Sequence, residues 1–484
     1  MNQSLKFLLK KILIPLGIVF LTLIFVGFVS FYFLIDDNLD SIKTKIFEQV
    51  QEKIGHEFTV DSLEADWKII NPSLTLYNVS IFNHDKSQSL NIEKIQADIS
   101  WLSLIRLSPV FDEIAIHQPV LDIKKGKNGS LFVNGIKVDH EKDTGFSNWL
   151  LNQDDIVIYG ATISWLDMTK TSEILRLSDL NLHYGSSKLF SYINRRTFNV
   201  STKSSHGTPH KIRLDGYIDI STIANIKTSD GQINISFEEL DLETMKLWTE
   251  DFSEIKSGNA DAVIRLDINN GLIDGINSKL NIDSLTWLTK ENKTVIINEL
   301  SGLIGWRKNK EYSSVKLTEL NTNLENGPKF KDAKIELEVD YKNKLRQISL
   351  DINRLNLDAT NKFIQKLPSS LTNIQTKYSS ISPSGVLTNL KLHWEKNKIF
   401  SLGTNVLDVS FMPFENTPGI SGITGEIKID NQKGYIKSVS KSIAITDGAI
   451  FRGLLEFDQF SGIISWNNNA YNFKDVNIKN NDFQ

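Results

Sequence analysis

Apolar and polar residues alternate along most of the chain after Gly55, and the alternation slips by one residue in the same way many times. Each copy is eight residues long, with apolar residues at positions 1, 3, 6 and 8. The two apolar pairs are therefore separated by two residues instead of one. Alternation with a period of two is typical of a strand with one buried face. The pattern occurs at residues 58–65, 74–81, 90–97, 175–182, 235–242, 280–287, 350–357 and 471–478.

The slip predicts a β-bulge in each of these strands. Without one, the second apolar pair would point to the opposite face of the sheet. The two middle residues are mostly polar, as in Glu93-Lys94 and Asp283-Ser284, which suits a bulge that bends the strand and keeps all four apolar side chains on one face. Chance matches in a β-rich sequence are the alternative. Repeated bulges predict a strongly curved sheet, apolar inside and polar outside.

Five strand ends carry an apolar residue, a small residue and then Trp. Period two puts each Trp on the apolar face, where its N–H can reach a wet rim. One interpretation is ordinary core packing, and the other is an aromatic rim along an open cleft. The residues are Trp101, Trp165, Trp287, Trp306 and Trp466.

Helical patterns are sparse after residue 55. Residues 242–252 predict one short helix, and residues 361–367 and 369–377 predict two more on either side of Pro368. Without helices alternating with strands, a doubly wound parallel sheet is disfavoured and an antiparallel meander is expected. The predicted fold over residues 56–484 is therefore mainly β, an elongated and curved antiparallel β-sheet groove with few short helices.

Residues 12–35 carry no charge, follow Lys10 and Lys11, and precede Asp36 and Asp37. Such a run is long enough to cross a bilayer core as a helix. A cleaved signal peptide is the alternative, but the run ends without the small residues of a cleavage site. We therefore expect a single-pass transmembrane helix at 12–35, with residues 1–11 as a cytoplasmic tail.

Residues 38–55 predict an amphipathic helix. Apolar residues recur every three or four positions, and Gly55 stands where a helix C-cap would be. The helix either caps the membrane end of the β region or packs against its core, since both uses need the same stripe. The stripe consists of Leu39, Ile42, Ile46, Val50 and Ile54.

Composition and charge exclude several classes of function. The net charge of −4 argues against nucleic acid as the main partner, and the absence of Cys removes thiol catalysis and thiolate metal sites. His206 and His210 are separated by Gly and Pro residues, which excludes the helical face of a metal-binding pair. We expect no enzymatic activity, no metal and no cofactor. Arg195, Arg196 and Lys203 suggest contacts with phosphate headgroups, although a solvated basic face is the more common explanation.

A long sheet with one apolar face must have that face covered. About 25 strands spaced ~4.8 Å apart extend ~120 Å, and a face ~15 Å wide then exposes about 1,800 Å². Either a second sheet or lipid tails would cover it. Lipid tails are a plausible occupant because exposing about 30 acyl methylenes to water costs roughly 24 kcal/mol of free energy. An apolar groove would remove most of that cost.

An ordered set of motifs resembles the start and body of YhdP-type members of the AsmA-like superfamily, a group of bridge-like lipid-transfer proteins. Each motif is weak alone, but their order is fairly specific and covers most of the chain. Family members are usually much longer and end in a helical region, so the chain is expected to be truncated at its C-terminus. The motifs include Ile46-Phe47-Glu48-Gln49-Val50, Phe58-Thr59-Val60, Ala65-Asp66-Trp67, Pro72-Ser73-Leu74-Thr75-Leu76, Ile163-Ser164-Trp165-Leu166, Pro383-Ser384-Gly385 and Gly462-Ile463-Ile464-Ser465-Trp466-Asn467.

The resemblance implies an inner-membrane protein whose bulk lies in the periplasm of a Gram-negative cell. It would carry phospholipid towards the outer membrane and support the permeability barrier. The expected partners are phospholipids, the inner membrane through residues 12–35, and an envelope or outer-membrane protein. An assembly factor or scaffold for outer-membrane proteins is the alternative, and an anchored hydrolase with an unfamiliar site is a third possibility. The lipid-groove residues are expected to be Leu74, Leu76, Val79, Ile81, Ile92, Ile95, Leu175, Leu177, Leu180, Leu182, Leu350, Ile352, Leu355 and Leu357.

Overall fold

The computed structural model describes residues 57–68, 71–82, 89–100, 110–138, 153–169, 174–186, 195–204, 211–220, 228–243, 254–289, 292–342, 344–366, 372–414, 418–446, 454–468 and 470–480. The transmembrane helix expected at 12–35 and the amphipathic helix expected at 38–55 lie outside these residues. Within them, no helix has the length and hydropathy needed to span a membrane. Most of the helix predicted at 242–252 also falls outside the described part.

Unit 1 is the first of two compact units, and it comprises Met1–Thr171, Asp179–Ser186 and Ser221–Ile223. The strands that contribute to it are β1 (Phe58–Thr59), β2 (Ser62–Lys68), β3 (Asn71–Phe82), β4 (Ser89–Ile99), β5 (Phe111–His117), β6 (Val120–Lys125), β7 (Leu131–Val133), β8 (Ile136–Val138), β9 (Asp155–Asp167) and the 179–186 part of β10 (Leu175–Ser186).

The strand order of unit 1 departs from the antiparallel meander expected throughout. β1 and β2 pair with β3, β3 with β4, and β4 with β5, all antiparallel. β9, however, runs parallel to both β5 and β6. β5 and β6 are two successive segments along β9, separated at Gln118-Pro119, where Pro119 has no N–H to donate to a ladder. Hydrophobic alternation reports which face of a strand is buried, not its direction, so the sequence pattern missed this parallel pair.

Unit 2 comprises Ser172–Ser178, Ser187–Ile220 and Ala224–Gln484. From β11 to β25 each strand pairs antiparallel with the next strand along the chain, which confirms the predicted meander in this unit. The strands are β11 (Arg195–Ser204), β12 (Lys211–Asp219), β13 (Asp230–Asp241), β14 (Ile255–Asn269), β15 (Leu272–Leu288), β16 (Thr294–Lys308), β17 (Tyr312–Leu324), β18 (Lys329–Asp340), β19 (Leu345–Asn356), β20 (Ser384–Glu395), β21 (Ile399–Phe411), β22 (Gly419–Asp430), β23 (Lys433–Thr446), β24 (Leu455–Asn467) and β25 (Ala470–Lys479).

Single left-handed residues interrupt many strands, and in unit 2 those at Glu239, Ser284 and Asp475 fall at a slip that the sequence pattern predicted. In unit 2 the non-glycine ones inside strands have φ between 50° and 61°. All eight are Asp, Asn, Ser or Glu, and short polar side chains tolerate this conformation because they hydrogen-bond locally. Each of them bends its strand. These residues are Glu239, Ser284, Glu319, Asp332, Asn389, Asp408, Ser442 and Asp475.

Register shifts confirm bulges at two of the predicted slips. The ladder shifts between Phe237 and Leu240 against β14, and between Ser461 and Ile463 against β25, which carries Asp475. Between β3 and β4 the register does not shift, although Asn78 is left-handed there. Both of these strands carry the pattern with its extra residue, so two insertions face each other and the pairing stays one to one.

Two helices separate β19 from β20. Helix α1 (Leu357–Ile364) starts earlier than predicted because Asn356 caps it, its side-chain oxygen accepting from the Ala359 N–H at 2.7 Å. Helix α2 (Thr372–Ile381) begins and ends later than the predicted 369–377. Leu357, predicted as the last apolar position of a strand, is therefore the first residue of α1, because the Asn356 cap ends the strand.

Candidate functional site

A line of buried side chains crosses the apolar face of unit 2, which we call the crease. Its members follow directly after left-handed residues or pair with residues that do. Leu320 pairs with Ala333, and Ile352 pairs with Leu390, so the line continues from strand to strand. All four belong to one hydrophobic cluster, in which Ala333 is completely buried and Ile352 is 4% exposed. The crease is thus the packed core of this part of the sheet.

A second row of apolar residues lies nearer the strand ends on the same face, and we call it the long wall. Its residues pair in register across β16 to β20. All are half-buried, in contrast to the crease. The strands of unit 2 belong to a single sheet, so none of its described strands forms a second layer over this row. The long wall comprises Trp306, Val315, Leu337, Ile348 and Trp394.

Helix α1 closes the opposite ends of the same strands. The Lys293 ammonium, in the β15–β16 connection, donates to the Gln365 carbonyl at 2.7 Å, where a cation also suits the C-terminal end of the helix. Phe363 lies 3.5 Å from the position that a Cβ on Gly327 would occupy, in the β17–β18 connection. Tyr378 of α2 donates to the Leu357 carbonyl at 3.3 Å, and burial, with the nearby Asp358 charge, raises its pKa to about 12. These contacts cover one end of the strands and leave the long wall at the other.

Side-chain amides hold the bends of neighbouring strands together. Asn321 donates to the carbonyl of the left-handed Glu319 at 2.9 Å and accepts from the N–H of the left-handed Asp332 at 3.1 Å. In unit 1, Asn181 makes the same pair of bonds, to the Asp179 carbonyl at 2.9 Å and from the Gly160 N–H at 3.1 Å. A bend removes a ladder partner from the backbone, and these amides replace it.

We expect Asn321→Ala to lower the free energy of unfolding of unit 2 by about 1–2 kcal/mol, because two backbone groups lose their partner. The matched control is Asn281→Ala, since Asn281 lies in the same cross-strand row on the same face. That control should change the stability by less than about 0.5 kcal/mol. Urea unfolding followed by fluorescence measures the stability of both variants. Equal effects would show that the clasp, the pair of hydrogen bonds from Asn321 to the backbone of Glu319 and Asp332, contributes nothing to stability.

The predicted groove residues divide into buried and half-buried positions. Half-buried ones include Leu76, Ile95, Leu177, Leu182 and Leu350, which alternate along their strands with the buried ones. Leu357 is buried on α1 and not on a strand. Ile81 and Leu355 are half-buried as well. The buried strand positions are Leu74, Val79, Ile92, Leu175, Leu180 and Ile352.

Four of the five Trp residues predicted to form an aromatic rim lie in the described part of the chain. Trp165, Trp306 and Trp466 are half-buried near strand ends, and Trp101 lies outside the described residues. Trp287 is half-buried too, and its indole N–H donates to Glu254 at 2.8 Å. Trp394 belongs to the same row as Trp306. It does not match the pattern of an apolar residue, a small residue and Trp, because His393 precedes it.

Arg195 is already engaged within the sheet. Its guanidinium makes two hydrogen bonds to Asp219, at 2.8 and 3.0 Å, and stacks 3.7 Å above the Tyr217 ring. The hydrogen bond and charge of Asp219 raise the pKa of Arg195. A lipid headgroup that bound Arg195 would therefore have to compete with Asp219 for its guanidinium group. Across the described parts of the chain, no group of three or more His, Asp or Glu side chains is arranged to hold a metal ion.

Together these features define a class of protein, a bent antiparallel β-sheet with one apolar face that is packed at the crease and half-open along the wall. The sequence profile of the family described as YhdP protein matches residues 1–484. The chain therefore belongs to the YhdP family. No curated protein and no solved structure matches it.

Proposed function

We propose that the protein conducts phospholipids along the apolar face of its sheet, towards the outer membrane, as an inner-membrane-anchored protein of the periplasm. The observation that carries this proposal is the long wall. Five consecutive strands present half-buried apolar side chains in one continuous row, with no described strand of unit 2 packed over them. Membership of the YhdP family supports an AsmA-like role in lipid transport.

The physical requirement for such transport is continuous apolar contact. An acyl chain leaving a bilayer loses about 0.8 kcal/mol for each methylene that water surrounds. A row that continues from Trp306 through Leu337 to Trp394 offers each departing methylene an apolar neighbour. The headgroup stays at the strand ends, in water. Sliding along such a row needs no catalytic residue.

The proposed cellular placement is supported by the uncharged run near the N-terminus and by membership of the family. Residues 12–35 would anchor the chain in the inner membrane, with residues 1–11 in the cytoplasm and the β region in the periplasm. The outer membrane is the proposed destination, where an envelope protein would receive the lipid. Loss of the protein would weaken the permeability barrier.

The test is native mass spectrometry with lipid extraction on the full chain, purified from membranes in a mild detergent. We expect several phospholipids to remain bound per chain, because the half-buried row can shield more than one pair of tails. A chain that carries no phospholipid, and co-purifies with outer-membrane polypeptides, would contradict the proposal and favour an assembly factor or scaffold.

A further inference from the structure

Three neighbouring strand connections in unit 2 carry an excess of positive charge, in a chain whose net charge is −4. They join β16 to β17, β18 to β19 and β20 to β21, and all lie at the end of the sheet that borders the long wall. Within residues 307–311, 340–346 and 395–398, eight basic side chains face three acidic ones. The basic residues, which we call the basic rim, are Arg307, Lys308, Lys310, Lys342, Lys344, Arg346, Lys396 and Lys398.

The three carboxylates of this region already have partners. Asp340 accepts the backbone N–H groups of Lys342 and Lys344, each at 2.9 Å, which lowers its pKa. Glu395 pairs with Lys398 at 2.6 Å, and Glu311 lies 3.5 Å from Arg346. The local acids are therefore engaged within the three connections, Asp340 and Glu395 in their own and Glu311 with Arg346 of the neighbouring one.

Five lysines of the basic rim lie without a close ion pair, although the charges of Lys344 and Lys396 contribute to lowering the pKa of Asp340. In the part of the chain that the structure describes, none of them makes an ion pair within 4.0 Å. Ammonium groups gathered on neighbouring connections repel one another, and an anion bound among them would reduce that repulsion. The five are Lys308, Lys310, Lys342, Lys344 and Lys396.

The connections touch each other and adjoin the long wall. Tyr341 donates its hydroxyl to the Asn309 carbonyl, and the Lys396 N–H donates to the Arg346 carbonyl at 2.9 Å. Trp306 precedes Lys308 by two residues, and Trp394 precedes Lys396 by two. Indole rings next to lysines are typical of the boundary between lipid tails and headgroups.

The charge is local to these three connections. Beside the preceding connection on the same edge, the ends of β14 and β15 carry Asp267 and Asp274, and Asp267 accepts from Arg265 at 3.0 Å and from Arg307 at 3.4 Å. The connection that follows, between β22 and β23, holds only Lys433 beside Asp430. A general solvation requirement would not concentrate the lysines in one place.

We propose that the basic rim binds phosphodiester headgroups of net negative charge while their tails lie on the long wall. This rests on the proposed function and adds a headgroup preference to it. A headgroup that carries an amine, such as phosphatidylethanolamine, cancels its own phosphate charge. Phosphatidylglycerol does not, so the unpaired lysines favour it.

The experiment compares lipid selection by the full chain and two charge-reversal variants. The rim variant is Lys342→Glu, Lys344→Glu and Lys396→Glu. The control variant is Lys331→Glu, Lys362→Glu and Lys377→Glu, which makes the same change of charge at exposed positions away from the rim. Each protein is equilibrated with mixed micelles of phosphatidylglycerol and phosphatidylethanolamine with identical tails, and the bound lipids are extracted and quantified.

We expect the wild type and the control variant to enrich phosphatidylglycerol about fivefold, less at high salt, and the rim variant to lose the enrichment while binding as much total lipid. Equal selection of phosphatidylglycerol by all three proteins would overturn the proposal. Loss of the enrichment when inorganic phosphate is added at matched ionic strength would also overturn it, because it would indicate a site for free phosphate. A wild type that binds no lipid at all would instead contradict the proposed function.

Discussion

Replacing Leu337 by Asp should reduce the phospholipid bound to the purified full chain at least tenfold and leave the fold intact. Leu337 is half-buried in the middle of the long wall, between Val315 and Ile348. A carboxylate facing an acyl chain loses its hydration at a cost of several kcal/mol, whereas in the lipid-free protein it can reach water. The free energy of unfolding should therefore fall by only about 1–2 kcal/mol.

The matched control is Lys334→Asp, which introduces the same side chain at an exposed position of the same strand, β18. It should bind as much lipid as the wild type. Lipid extraction and urea unfolding on the three proteins separate the two effects. If Leu337→Asp keeps its lipid, tails do not lie on the long wall, and if it unfolds outright, the wall is a closed core.

Replacing Ile352 by Asp should instead unfold the region around β17 to β20, with a loss of more than about 4 kcal/mol. Ile352 is 4% exposed in the crease and packs in one cluster with Leu320, Ala333 and Leu390. The new carboxylate would be buried without a partner, and the lost methylenes would leave a cavity.

Ile352→Val is the matched control for this position, because it removes one methylene and adds no charge. It should cost about 0.5–1.5 kcal/mol. Hydrogen exchange of the backbone amides in β17 to β20, with urea unfolding, measures both variants. Similar stability for the Asp and Val variants would mean that water reaches the crease.

If both results are obtained, the crease provides stability and the long wall binds lipid, although both rows lie on the same face of the sheet. The crease residues are buried among one another, and little of their surface is exposed. The wall residues are held in place by strands that the crease has already packed. Under the proposed function, lipid would therefore enter or leave the long wall without opening the crease.

Much of this arrangement was readable from the pattern of residues. The alternation located the strands, and the slip between apolar pairs located bends at Asn78, Asp179, Glu239, Ser284 and Asp475, which are all left-handed. The slip is visible because a bulge changes the phase of the alternation. The helix start at Leu357 was missed because an apolar residue two positions after Leu355 continues a strand pattern equally well.

Other features depend on contacts between distant residues. The parallel pairing of β9 with β5 and β6 joins segments far apart in the chain, and no local pattern encodes strand direction. The clasp of Asn321 on Asp332 requires the register of β17 and β18. The basic rim forms because connections some 35 to 50 residues apart in the sequence come together, and each alone is an ordinary Lys-rich turn.

The sequence by itself determined that the body is a mainly β structure with one apolar face and repeated bends, since period-two alternation and its slips are local properties of each strand. It could not separate Leu350 from Ile352, which are equivalent in the pattern. Only the tertiary structure placed Ile352 in the buried crease and left Leu350 half-buried beside it. Burial depends on which neighbouring strands bend at the same level, and that is decided by register and packing across the sheet.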